Sequence, residues 1–188
     1  VTGWLMCTDN MPSGTAYKLG DVLTARDGTT VEVKNTDAEG RIVMMDAIAL
    51  AVEEGVDAII DIATLTGAAL MALGQLTAPV LGNDQRVVDL TLAASAVTGE
   101  PLWQLPLERK YRPQLDSDVA DLANIGGRYA GATTAALFLD HFTRKTPWAH
   151  LDIAGTMAVD ADESWRSKGA TGFGARLLLE TALTFTKA

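Results

Sequence analysis

The chain predicts an α/β fold, a mixed β-sheet flanked by helices. Short strand-like apolar runs alternate with runs of helical length along most of it, which points to α/β architecture. Near the start, Asp27-Gly28 lies between two β-type runs. That pair is the strongest local hairpin signal, so the expected sheet is mixed rather than purely parallel. Of 188 residues, 48% are hydrophobic and 21% charged, one domain's worth of chain with enough apolar material for a core.

Taken in order, Trp4-Leu5-Met6-Cys7 reads as a short buried strand. Cys7, the sole cysteine, reads as a small buried residue in a reducing compartment. Asn10-Met11-Pro12-Ser13-Gly14 comes next as a loop, marked by its Pro and Gly. The hairpin strands are 22–25 and 30–33, and the second delivers residues 35–41 at its carboxyl end. Residues 40–54 read as a helix from length, alanine content and the stop at Gly55. Apolar side chains on nearly every face place this helix inside, with Met44 and Met45 as core filler. Residues 57–63 form a buried strand, followed by Thr64-Leu65-Thr66-Gly67 and a short helix over 68–73.

Residues 77–81 give another strand, and 85–98 a helix closed by Gly99. Proline bounds 101–106 at both ends, which suits an edge strand or extended loop because Pro cannot donate to a central ladder. Residues 109–131 are irregular and polar, with Gly126, Gly127 and Gly131 supplying backbone freedom. A helix over 133–143, a strand over 148–153, a polar loop over 155–171 and a helix over 172–185 complete the chain. No repeat, linker or low-complexity tract divides residues 1–188, which read as a single folding unit. Val1 falls inside a strand-like pattern, so the chain is expected to be part of a longer polypeptide.

Composition excludes several function classes. A formal charge of −9 gives no general nucleic-acid footprint. No apolar run approaches the roughly 20 residues of a membrane helix. No His-Glu-x-x-His run occurs, and His141 and His150 share no metal-type spacing; His150 is expected to be structural. Neither Gly67-Ala68-Ala69 nor Gly172-Phe173-Gly174 fits a dinucleotide or P-loop pattern. Ser13 and Ser164 lack any partner that would make a nucleophile.

The stretch that concentrates chemistry is Asn35-Thr36-Asp37-Ala38-Glu39-Gly40-Arg41. In an extended segment alternate side chains share a face, which would bring Asp37, Glu39 and Arg41 together. Two carboxylates suit a divalent cation, and an arginine beside them suits an anion or developing oxyanion. The same residues also fit a polar loop with an acidic helix N-terminus, favoured by the helix dipole. Three segments leave strands through small or polar residues: 35–41, 64–67 and 154–157. In open α/β sheets ligands bind beyond the strands' carboxyl ends, so these three are expected to converge on one pocket.

Asn-Thr-Asp-Ala-Glu-Gly-Arg at 35–41 resembles the hallmark of the leucine aminopeptidase (cytosol aminopeptidase) family of two-metal exopeptidases. Asn10 to Gly14, Thr64-Leu65-Thr66-Gly67-Ala68 and Trp148-Ala149-His150-Leu151-Asp152-Ile153-Ala154-Gly155 fall in that family's order and rough spacing. The resemblance implies the C-terminal portion of a leucine-aminopeptidase-like catalytic domain. It implies a cytoplasmic metalloprotease that releases N-terminal residues, with leucine-type preference, from peptide substrates. Asp37 and Glu39 match its metal-ligating carboxylates, with two divalent ions, Zn2+ or Mn2+, in the intact site. Arg41 matches the catalytic arginine that holds bicarbonate as the general base. Asn35, Ala38, Thr64, Leu65 and Gly67 match substrate-lining positions, and Ala154 and Met157 match the walls of the first side-chain pocket.

The same resemblance places the family's other metal ligands, a lysine and two aspartates, and its catalytic lysine upstream of the Asn10 loop. Nothing before Asn10 matches them. The chain is therefore expected to hold about half of the two-metal site, to need the missing upstream segment as its partner, and to be inactive alone. A homohexamer is implied by resemblance only. The competing class is a non-catalytic subunit, or a DNA-binding or regulatory protein that keeps the fold. Retention of Asp37, Glu39 and Arg41 favours the enzyme, since a scaffold has no need of them.

Overall fold

The computed structural model describes residues 1–8 and 11–187, so Asn10 of the first loop motif lies outside the described residues. A hairpin of β1 (Val22–Thr24) and β2 (Thr30–Glu32) turns at Asp27-Gly28, with Val22 opposite Glu32 and Thr24 opposite Thr30. Gly28 takes φ +88°, a value that L side chains rarely adopt, which explains glycine at that corner. Strand β6 (Leu122–Ala123) joins β2 in parallel and completes a small three-stranded sheet.

The main sheet is separate. It orders as β3 (Ile59–Ala63), β7 (Trp148–Asp152), β4 (Ala78–Gly82) and β5 (Leu102–Gln104). β3 and β7 run parallel, β7 and β4 antiparallel, and β4 and β5 parallel. Both sheets are mixed, the small one through the hairpin pair beside parallel β6 and the main one through β7 against β4. β5 is the edge strand that its flanking prolines required.

Alternation along β7 sends side chains to opposite faces. Trp148 packs in a core with Leu81, with Ile42, Met45 and Ile48 of α1 (Glu39–Glu53), and with Leu137, Phe138 and Phe142 of α4 (Gly131–Phe142). Ala149 and Leu151 face the other core, with Val87 and Val88 of α3 (Gln85–Thr98) and Leu177 of α5 (Ala175–Thr184). Helices thus cover both faces. Between β3 and β4 lies the short helix α2 (Gly67–Leu73). A 3-10 helix, Arg109–Leu115, occupies part of the expected irregular stretch. A two-residue ribbon of β8 (Ala158–Val159) and β9 (Gly169–Ala170) interrupts the polar loop before α5.

Two expectations near the start fail. Residues 4–7 form no strand, and Leu5 is 90% exposed. A strand needs a neighbour for its N–H and C=O groups, and no described segment pairs with this one. Cys7 is accordingly exposed rather than buried.

Candidate functional site

β3 and β7 are parallel neighbours, with Ala63 opposite Asp152, so their carboxyl ends open side by side. Asp152 is fully buried and organises the loops that leave both strands. Its Oδ1 accepts the backbone N–H groups of Leu65 (3.1 Å), Thr66 (3.2 Å) and Ala154 (3.3 Å). Its Oδ2 accepts the Thr66 hydroxyl at 2.6 Å. The Thr66 oxygen in turn accepts Ala69 N at 3.1 Å and caps α2.

The facing wall is the 35–41 segment. It is not extended, contrary to the alternate-spacing argument. Asn35 Oδ1 accepts Asp37 N at 2.9 Å in a turn, and α1 begins at Glu39. Glu39 and Arg41 lie about 200° apart around the helix at its 3.6-residue pitch. Glu39 is exposed while Arg41 is 5% exposed. Asn124, fully buried, pins the turn: Oδ1 accepts Lys34 N (2.8 Å) and Asn35 N (3.1 Å), and Nδ2 donates to Asn35 O at 2.6 Å. Tyr17 donates its hydroxyl to Thr36 O at 3.2 Å. Burial, with Glu39 nearby, raises the Tyr17 pKa, which keeps the proton for that bond.

The Arg41 guanidinium donates to Asn124 O at 3.0 Å, while its buried Nε has no partner among the described residues. Burial lowers its pKa to about 10, against the opposing charges of Asp152 and Glu39, so it remains a cation at neutral pH.

Between these walls lies a cavity of about 310 Å3. Asn35, Asp37, Ala38, Arg41, Leu65 and Gly67 line it, with Thr66, Ala68, Ile125, Gly127, Arg128, Gly131 and Thr134. The first turn of α1 closes on the loop before α2 and that of α4 on α2 itself: a Cβ on Gly40 would meet Leu65 at 3.2 Å, and one on Gly131 would meet Ala68 at 2.9 Å. Two of the three expected segments therefore converge. Glu39, Thr64, Ala154 and Met157 are not among the lining residues. Ala154 is tied to the Leu65 loop through Asp152, and Met157 is 46% exposed on the turn beyond.

A larger cavity, about 620 Å3, opens elsewhere between Asn83, Arg109, Asp140, His141, Arg144 and Lys145 and holds none of the expected site residues. Two of its cations are already paired, Arg109 with Asp140 at 2.6 Å and Arg144 with Asp27 at 2.5 Å. His150 is fully buried, and its Nδ1 donates to Asp61, which also accepts Trp148 Nε1 at 2.5 Å. Its position is the structural one expected.

Residues 1–179 match the catalytic domain of the cytosol aminopeptidase family. The chain belongs to that family. It is 48% identical over 179 residues to a probable cytosol aminopeptidase of Alkaliphilus metalliredigens, covering 95% of this chain and 36% of the relative. A probable cytosol aminopeptidase of Synechococcus sp. (strain JA-3-3Ab) is 51% identical over 176 residues, covering 94% and 34%. One from Geobacter sp. (strain M21) is 51% identical over 178, covering 95% and 36%. The chain thus spans about a third of the length of the curated relatives it matches.

Within the family frame, the donor chemistry can be weighed. Asp37 and Glu39 are exposed, hard oxygen donors of the kind divalent cations take. Among the described residues, no group of three or more His, Cys, Asp or Glu side chains is placed to hold a metal ion. By donor chemistry the two carboxylates suit a divalent cation, though only Asp37 lines the cavity. No described helix is long and apolar enough to cross a membrane.

Sequence reasoning missed Asn124, Asp152 and Arg128. The first two act across 86 to 89 positions of sequence and leave no local pattern. Arg128 carries a faint signal, a cation between the paired glycines 126–127 and a helix start.

Proposed function

We propose that the full-length polypeptide carrying this chain is a metal-dependent aminopeptidase that releases N-terminal residues, leucine-type by preference, from peptides. Residues 1–188 would be the C-terminal part of its catalytic domain. The observation that carries this reading is Arg41: a buried cation with an unpartnered Nε, lining a cavity that also holds Asp37. A buried charge with an open donor is costly unless an anion completes it.

Asp37 and Glu39 would contribute carboxylates to two divalent ions, Zn2+ or Mn2+, whose other ligands come from the upstream segment. Such ions, when bound, supply Lewis-acid activation of water and of the scissile carbonyl. Arg41 would hold bicarbonate, the proton acceptor, through its open edge. The Thr64-Leu65-Gly67 loop, fixed by Asp152, would present backbone groups to the peptide beside Asn35 and Ala38. Ala154 and Met157 would wall the pocket for the first side chain. The working form would be a cytoplasmic homohexamer that acts without nucleic acid or membrane partners.

The experiment is hydrolysis of leucine p-nitroanilide by the full-length protein. Activity should disappear on exhaustive chelation and return with Zn2+ or Mn2+. Turnover that survives chelation unchanged, or no release of N-terminal leucine at all, would overturn the reading.

A further inference from the structure

Arg128 lines the cavity together with the 65–67 loop and the 35–41 turn, and the proposed metal chemistry gives it no role. It lines the same space as Asp37 and Arg41. Among the described residues its guanidinium meets no carboxylate, and it lies 5.8 Å from the centroid of the Tyr129 ring. A face-on aromatic orients a guanidinium while leaving its N–H edge open. The backbone beneath it is fixed: Gly127 N donates to Gln114 Oε1 at 3.0 Å.

Behind Arg128 starts α4. Its N-cap, Ala130, has φ 58° and no side-chain capping bond, so the first N–H groups of a 12-residue helix are left uncapped by side chains. Gly131, in that first turn, lines the cavity. An open helix end and an exposed arginine both favour negative charge. A second feature of the same cavity points to a charged ligand: the unpartnered Nε of Arg41, a side chain only 5% exposed.

The cavity is thus lined by one carboxylate, Asp37, and by two cations, Arg41 and Arg128. Its volume of about 310 Å3 lies at the small end of ligand cavities. We infer that Arg128, with the open first turn of α4, is a specificity-determining subsite for the free α-carboxylate of short peptide substrates. The inference rests on the aminopeptidase reading and deepens it. A dipeptide zwitterion would lie across the cavity with its amine toward the Asp37 side and its carboxylate on Arg128.

The test compares Leu-Gly with Leu-Gly-amide as substrates of the full-length protein. Arg128→Ala should lower kcat/KM for Leu-Gly about tenfold more than for the amide, mainly through KM, the size expected for one lost charge-assisted hydrogen bond. Arg128→Lys should recover part of that difference, because the charge remains and the planar fork does not. Equal losses on both substrates, or none on either, would overturn the inference while leaving the aminopeptidase reading intact. Failure of the unsubstituted protein to cleave either substrate would overturn that reading and the inference with it.

Discussion

The Asp152 carboxylate and the Thr66 hydroxyl lie 2.6 Å apart, both buried, and their hydrogen bond fastens the end of β7 to the start of α2. One hydroxyl thus serves two structures, donating to Asp152 and accepting from Ala69 N. Thr66→Ala removes a helix cap, typically about 1 kcal/mol, and unpairs one oxygen of a buried carboxylate, typically about 1–3 kcal/mol. Urea unfolding should show a loss of about 2–3 kcal/mol for Thr66→Ala and under about 1 kcal/mol for Thr66→Ser, which keeps the hydroxyl. Equal losses would mean that the methyl group, not the hydroxyl, matters.

Asn124 offers a sharper substitution because its two side-chain ends are used in opposite senses. Asn124→Asp places an oxygen where Nδ2 donates to Asn35 O at 2.6 Å, which turns a bond into a repulsion between acceptors. The cost should be about 2 kcal/mol, that of a lost and unreplaced buried hydrogen bond. The turn holding Asp37 should loosen first. Hydrogen exchange at the Ala38 amide, bonded to Asn35 O at 3.3 Å, should accelerate more than exchange in α3.

Thr66 and Asn124 also mark the boundary of sequence legibility. The span of α3 is legible to the residue because its ends are local chemistry: Asp84 accepts from Arg86 N and Val87 N, and Gly99 takes the left-handed C-terminal position. β5 is legible because prolines exclude a central place. Alternate spacing favours an extended 35–41 segment, yet α1 already begins at Glu39, one residue before the glycine that reads as its start. The anchoring of that segment by Asn124 is a contact across 89 positions, which no periodicity encodes. Residues 4–7 have strand composition, but a strand is completed by its neighbour, and no described segment supplies one.

His150 should make stability depend on pH. Burial disfavours its charged form, but the Asp61 carboxylate, through charge and hydrogen bond, outweighs that and raises the pKa above the ordinary 6.5. A raised folded-state pKa contributes stability that is fully present below the unfolded value and is lost as pH rises through the folded one. Unfolding free energy should therefore fall as pH is raised from about 6.5 through the higher folded pKa. Asp61→Asn removes the charge that raises it. Denaturation curves across that window should lose this fall in the variant; an unchanged slope would place the titration elsewhere.

Arg41→Ala should spare the fold and lower turnover. Among the described residues its side chain makes one hydrogen bond, to Asn124 O, while Nε has no partner. A group that holds an anion at the reacting centre acts mainly on the transition state, worth about 10²–10³ in rate. Steady-state kinetics on the full-length protein should show kcat falling with KM little changed. Full kcat with a raised KM would assign Arg41 to ground-state binding instead.

Residues 1–188 expressed alone should bind a divalent ion weakly and show no aminopeptidase activity, even with excess Zn2+ or Mn2+. Asp37 and Glu39 are two carboxylates, and no described cluster of three or more donors surrounds them. One ion held by two carboxylates and water is feasible; a second beside it is not. At about 4 Å, two doubly charged ions repel by about 16 kcal/mol at an effective dielectric near 20, four times the unit-charge value. Further anionic ligands must offset that repulsion, and the described residues do not bring them together. The exposed Val1, Leu5 and Met6 add apolar surface that favours self-association of the isolated piece. Leucine p-nitroanilide hydrolysis should be absent for residues 1–188 and present for the full-length protein under the same metal conditions, with Mn2+ binding measured by titration calorimetry in both. Turnover by residues 1–188 alone would show that Asp37, Glu39 and Arg41 suffice, and the account of a divided metal site would be wrong.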